Sequence, residues 1–463
     1  MNLDLTPSSL VKMVSHWISR EHSDGSPKSM IAPFIWGAPG VGKTDIVRSM
    51  AKTMSCRVVA LHLPQYDPTD LKGIPVMIDD RVKWMSSDYL PQQKRIRVDV
   101  GSEYTVKLQW QYATDLAVYM LDQDGNEIVT HNDPSRTDSN NASIEITNPL
   151  RGTWKATVSD FPIDAYEMVI VDKAIIFLDE LSAADHGTQK AALQLVLDRR
   201  VGEYDVPMGV PIIAAGNRES DGAFIQPLSD PLANRFQHVT LGPSVDDYIE
   251  WGMVNNVRPE ILGYVKAFPE GLFNYDPSAL GEGNYGFSTP RSLTMLSNQY
   301  EPIEFYTDMA NGDELEGLRL RLAAFSGLIG KSDAAALTGY LEVMHELPSV
   351  EDITSGLITE LPDVERSKSF GLLYSLLQNM KQLHDQYNIK ALDKSDHPEG
   401  WEHGRDNILD FITNNFSKET GTWAGSMMFQ QMGFISKDLR SEAGLRFVDK
   451  FVNIMTQSGR SRR

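Results

Sequence analysis

Apolar positions along this chain follow one period in its first part, another in its middle and a third towards its end. Residues 4–21 carry Leu10, Met13, Val14, Trp17 and Ile18 on one helical face, with Thr6-Pro7 as a start. "MIAPFIW" (30–36) is a continuous apolar run that predicts a buried strand, and Lys43 to Met54 predicts the helix after it. Further buried strands are expected at "RVVALHL" (57–63), "AIIFLD" (174–179), "VPIIAAGN" (210–217) and "FQHVTLG" (236–242). Buried strands alternating with helices imply a parallel α/β sheet.

Between these runs the period shortens. "IPVMIDDRVKWM" (74–85) reads as a hairpin turning at Asp79-Asp80. From about Gln92 to Asp172 the segments "EYTVKLQW", "LAVYML", "NEIVTH", "SIEIT", "GTWKATV" and "YEMVIV" alternate as short strands. Turn clusters such as "DQDGN" and "NDPSRTDSNN" separate them. This stretch predicts an inserted β-sandwich. After residue 245 the pattern is helical: "DDYIEWG", "PEILGYVKAF" and "STPRSLTMLSNQY" (288–300), with Ser288 as a candidate cap. Residues 314–463 hold several amphipathic helices, with loops near "ELPSVED" and "DKSDHPEG". No internal repeat is evident.

Composition narrows the classes. The 463 residues allow two or three domains, and a hydrophobic fraction of 41% is that of a globular chain. The 43 basic and 63 acidic residues give a net charge of −20, which repels phosphate backbones and disfavours nucleic acid. The basic tail "GRSRR" is too short to reverse this. A single cysteine, Cys56, lies against the apolar run "RVVALHL" and is expected to be a reduced, buried thiol. No signal peptide and no run of 18 apolar residues is seen, so a cytoplasmic location without membrane insertion is expected.

The candidate chemistry lies at strand ends. "GAPGVGKT" matches G-x-x-x-x-G-K-[ST] between a predicted strand and a predicted helix. Gly37, Ala38, Pro39, Gly40, Val41 and Gly42 form a loop whose N–H groups can face phosphates. Lys43 supplies a positive charge and Thr44 a ligand for Mg²⁺. "IIFLDE" supplies the complement, with Asp179 on the Mg²⁺ water shell and Glu180 as general base. Asn217 ends another buried strand and can orient the attacking water. In "SDPLANRF", Arg235 can act in trans on a neighbour's nucleotide, and Arg291 in "STPRSL" can reach the phosphates in cis. Roughly 135 positions separate Thr44 from Asp179, where the connecting elements need only about 50–60 residues. The sandwich occupies most of that surplus.

The ordered set GAPGVGKT, IIFLDE, IIAAGN, PLANRF and TPRSL resembles an AAA+ ATPase. Within that superfamily "DPTDLKGIP" (67–75), "LVLDRRVGEYDVP" (195–207) and "AAGNRESDGAF" (214–224) are similar to the MoxR-like, dynein-related branch. The resemblance implies an α/β P-loop core with sheet order 5-1-4-3-2, ATP and Mg²⁺ as ligands, and a ring, usually of six subunits. It implies a core of residues 1–92 and 173–244, a helical lid at 245–300 and a helical extension at 301–463. The hairpin 74–85 would face the pore. Relatives of this kind are chaperone-like remodellers of protein clients, often partnered with von Willebrand factor A domain proteins. The insert 93–172 departs from the pattern and resembles prepeptidase C-terminal-type β-sandwiches, modules that usually bind.

Other features weigh less. Asp122, Asp124 and Asn126 offer alternating oxygens for Ca²⁺, but "DQDGN" also makes a good hairpin turn. Tyr104, Trp110, Tyr112, Tyr119 and Trp154 can be a binding face or core, and "MMFQQMGF" (427–434) helix core or partner surface. The ten histidines show no metal-ligand spacing. Two other functions stay open: a helicase-like nucleic-acid motor, hinted at by Arg81 and Lys83 but offset by Asp79 and Asp80, and an ATP-gated scaffold with slow turnover.

Overall fold

The structure is a computed structural model. It describes residues 4–19, 31–78, 81–85, 89–97, 105–109, 116–125, 127–131, 143–148, 152–157, 167–221, 225–276, 285–362, 369–392 and 401–452. They form two compact units, divided between Gly242 and Pro243.

In the first unit α1 (Pro7–Ile18) starts where Thr6 accepts from Ser9 N, and it buries Leu10, Val14 and Ile18. β1 (Ala32–Trp36), α2 (Lys43–Thr53), β2 (Arg57–His62) and α3 (Pro68–Lys72) follow. β3 (Ile74–Ile78) and β4 (Arg81–Met85) pair antiparallel, with Ile78 opposite Arg81, while the expected turn residues Asp79 and Asp80 lie outside the described set.

Seven strands come next: β5 (Gln93–Arg97), β6 (Thr105–Gln109), β7 (Leu116–Leu121), β8 (Glu127–His131), β9 (Ser143–Asn148), β10 (Gly152–Thr157) and β11 (Glu167–Asp172). They build one sheet in the order β5-β11-β7-β8 and another in the order β10-β9-β6, the chain passing from one to the other and back. After β12 (Ala174–Asp179) come α4 (His186–Asp198), the short pair β13 (Arg200–Val201) and β14 (Tyr204–Asp205), β15 (Ile212–Gly216), α5 (Asp230–Ala233) and β16 (Phe236–Thr240).

The main sheet runs β16-β1-β15-β12-β2, all parallel. Numbered among themselves, its strands stand in the expected order 5-1-4-3-2. β12 and β15 are central and buried throughout, apart from half-exposed Asp179 at the end of β12, which is why both read as unbroken apolar runs. The inserted strands are not a loose appendage. Ala117, Tyr119, Leu121, Val169 and Val171 share one hydrophobic core with Val59, Ile176 and Leu178 of the main sheet.

A buried ion pair ties the two sheets' strands. Arg57, opening β2, donates through Nε and Nη2 to Asp172 Oδ2 at 3.0 and 2.5 Å. Burial pushes the Asp172 carboxyl above its ordinary range, while Arg57 pulls it back. Arg57→Leu should therefore destabilise the fold by about 3–5 kcal/mol at neutral pH, because an unpaired carboxylate stays buried. Without the guanidinium that carboxyl rises further, so the folded chain holds its proton more tightly than the unfolded one. The loss is full above the raised value, shrinks as the pH falls from there towards the ordinary carboxylate range, and is gone below that range. Melting curves of both proteins at about pH 8 and about pH 5 should show the gap narrowing on acidification.

The second unit is helical: α6 (Val245–Val254), α7 (Pro259–Ala267), α8 (Pro290–Asn298), α9 (Ile303–Met309), α10 (Glu314–Ile329), α11 (Lys331–Met344), α12 (Val350–Thr354), α13 (Phe370–Leu392), α14 (Trp401–Asn415), α15 (Lys418–Gln430) and α16 (Glu442–Phe447). One core runs through it from Tyr248 through Leu293, Phe325 and Leu373 to Phe451. Among the described residues no helix is long and apolar enough to cross a membrane.

Some expectations need correction. Ser288 does not cap α8: its backbone bridges to Asn274, and Thr289 is the cap, in a reciprocal box with Ser292. Cys56 is only half-buried, because β2 begins one residue after it. Strand β5, "QKRIR", was not expected. Asp122 accepts from Asp124 N and Gly125 N, closing the β7–β8 hairpin turn, while Asn126 lies outside the described residues. Tyr119 and the residues Met427, Met428, Met432 and Phe434 are core. Tyr104, Trp110 and Tyr112 lie outside the described residues, as do the side chains of Arg81, Lys83 and Trp154.

Candidate active site

The C-terminal ends of β1, β15, β12 and β2 lie side by side in the sheet. In open parallel sheets, ligands bind at such ends. β1 ends at Trp36, and Gly37 N donates to Gly216 O at 3.2 Å, holding the loop to β15. Two glycines shape that loop. Gly40 and Gly42 have φ of 80° and 95°, the left-handed region, and Gly42 caps α2 without a side chain. The first N–H groups of α2 therefore point outward with the positive end of the helix dipole.

Lys43 opens α2 and is buried. Its Nζ donates to Gly37 O at 2.6 Å, Ala38 O at 3.1 Å and Asn217 Oδ1 at 2.7 Å. All three protons of the ammonium are thus held on the loop and on the residue after β15. Thr44 Oγ1 donates to Asp179 Oδ2 at 3.2 Å, and Asp179 Oδ1 accepts from Glu180 N at 3.1 Å. A hydroxyl and a carboxylate meeting in this way are hard oxygen donors of the kind Mg²⁺ takes while keeping several waters. Thr44 and Asp179 fit that ion.

Glu180 sits at φ 54°, ψ 37°, a left-handed conformation that costs a non-glycine residue energy and turns its side chain away from the strand direction. The residues after it hold the neighbouring strand end. Ser182 Oγ accepts from Asn217 N at 3.0 Å, and a Cβ at Gly216 would come within 2.6 Å of that oxygen. Gly216 is small because Ser182 fills the space.

His62 was not singled out from the sequence. It ends β2 in register with Asp179 and lies 3.3 Å from Glu180 Oε2 through Nε2, and 3.9 Å from Asp179 Oδ2 through Nδ1. Only the pairing of β2 with β12 brings it there, so no local signal reveals it.

Lys43, Thr44, Asp179, Glu180 and Asn217 thus meet, from three separate segments of the first unit. Arg235 stands apart from them, exposed between α5 and β16. Arg291 lies exposed in the first turn of α8, in the second unit.

No family model matches the chain, and no curated protein does. Solved structures similar to it include the RuvB Holliday junction branch migration motor of Thermotoga maritima. The identity is 11%, covering 84% of this chain and 95% of that one, with a TM-score of 0.32. NtrX of Brucella abortus is similar at 10% identity over 73% of this chain and 68% of that one, with a TM-score of 0.29. Neither likeness is close enough to carry a function across.

Proposed function

We propose that this chain is an AAA+ ATPase of MoxR-like type that hydrolyses ATP with Mg²⁺ in a ring and remodels a protein partner. The observation that carries this is the meeting of Lys43 and Asn217, and of Thr44 and Asp179, at the ends of neighbouring parallel strands. The loop 37–44 would cradle the β- and γ-phosphates, with Lys43 Nζ turning from the loop carbonyls to phosphate oxygens. Thr44 and Asp179 would hold the magnesium ion, which when bound neutralises charge on the β- and γ-oxygens. Glu180 takes the proton of the attacking water, and Asn217 orients that water. Arg235, exposed at the end of α5, is lent to the nucleotide of an adjoining protomer, and Arg291 acts on its own protomer's phosphates.

Residues 1–92 and 173–244 form the motor core in this proposal, 245–300 the lid and 301–463 the extension. The hairpin 74–85 and the β-sandwich of 93–172 transmit the motion to a protein client, for which a von Willebrand factor A domain protein is the partner that the resemblance suggests. A net charge of −20 favours a protein client over a nucleic acid.

Purified protein should release phosphate from ATP with Mg²⁺ and stop when the metal is chelated. Absence of turnover under both conditions would leave only an ATP-binding scaffold. Stimulation by DNA that falls steeply with salt would instead favour a nucleic-acid motor.

A further inference from the structure

Four rings lie on one face of the sheet beside the phosphate loop. Phe34 and Trp36 of β1 stack at 4.2 Å between ring centroids, Phe236 meets Phe34 edge-on at 5.2 Å, and His238 lies nearly parallel to Trp36 at 5.9 Å. Within this group Trp36 Nε1 donates to His238 Nδ1 at 2.9 Å, and His238 Nε2 lies 2.8 Å from Ala233 O.

The two bonds together settle the proton. An indole N–H only donates, so Nδ1 must accept, and a carbonyl only accepts, so Nε2 must donate. Both partners are met with the His238 proton on Nε2, and the ring is then used at both ends.

What this relay holds is the end of α5. That helix is a single turn, Asp230–Ala233, too short to be stable through its own hydrogen bonds. Buried Leu232 anchors its middle, and His238 anchors its last carbonyl. Two residues beyond that carbonyl stands Arg235, whose N–H closes on Leu232 O at 3.1 Å. At the other end, Trp36 adjoins Gly37, the carbonyl that Lys43 holds.

We propose that Trp36 and His238 are positioning residues for Arg235: they fix where a protomer presents the guanidinium that it lends to its neighbour's nucleotide. This rests on the reading of Arg235 as acting in trans. A guanidinium displaced by about 1 Å from its productive place can cost on the order of 10²-fold in rate.

The test mixes full-length variants. Arg235→Ala protomers keep a complete phosphate site but lend no guanidinium, and Glu180→Gln protomers lend one but do not hydrolyse. Their mixture should recover ATPase activity that neither shows alone. His238→Phe, which keeps an aromatic ring, should lower the recovered activity by at least about tenfold when added to the Glu180→Gln partner. Added to the Arg235→Ala partner, which has no guanidinium to position, it should have no such effect. Trp36→Phe should repeat that asymmetry, and His238→Gln, which still accepts and donates, should restore most of the activity. Equal losses in both arms, or no loss in either, would overturn the proposal. A mixture that recovers nothing before His238 is touched would overturn the trans role of Arg235, and this inference with it.

Discussion

Exchanging Glu180 for glutamine should leave ATP bound and slow its hydrolysis by about 10²–10⁴-fold, the usual contribution of a general base. The two side chains have the same shape. The contact that fixes Asp179 is made by the backbone N–H of residue 180, not by its carboxylate. Thr44 and Asp179 therefore keep their places, as do Lys43 and Asn217. What is lost is an oxygen basic enough to take a proton from water. A binding titration with a fluorescent ATP analogue and a phosphate-release assay separate the two effects. Unchanged turnover would remove Glu180 from the chemistry and would direct attention to another base.

Removal of the Arg235 guanidinium should be as damaging without touching the fold. Arg235→Ala is expected to lower ATPase activity by about 10³–10⁵-fold, the range for an arginine supplied to a phosphoryl-transfer site. Because the side chain is exposed, stability should stay within about 0.5 kcal/mol. Sedimentation with ATP should show the same assembly as the parent. Lysine should not rescue the loss, since an ammonium cannot offer the planar fork of a guanidinium. Full activity in a dispersed, monomeric preparation of Arg235→Ala would show that no neighbour's arginine is needed.

The two effects draw on different parts of the architecture. In the proposed mechanism Glu180 serves its own protomer and sits in a left-handed conformation at the end of a buried strand. Arg235 follows a one-turn helix and leads into edge strand β16.

Motifs that lie within a few consecutive residues were legible in the chain. The loop 37–44 needs two glycines with positive φ before Lys43, and "GAPGVGKT" states all of it locally. The central strands were legible because both faces are covered, which leaves continuous apolar runs at "AIIFLD" and "VPIIAAGN". Strand β5 was not legible for the opposite reason. It sits at the edge of its sheet, where charges are favoured, and "QKRIR" offers one apolar residue among three cations. Its pairing with β11 and the Arg95–Glu167 contact at 2.9 Å appear only when the two ends of the insert come together.

By itself the sequence determined which residue types stand at each strand end, where along the chain the main-sheet strands fall and the excess of negative charge. These follow from local propensity, from the period of burial and from counting. Tertiary structure alone decided that His62 faces Glu180, that Arg57 neutralises Asp172, and that His238 joins Trp36 to the last carbonyl of α5. Apart from the bond between His238 and Ala233, five residues earlier, each of these contacts joins positions far apart in the chain. Parallel strands place such residues next to one another through pairing register, and register is set by the whole buried core, not by any short stretch of it.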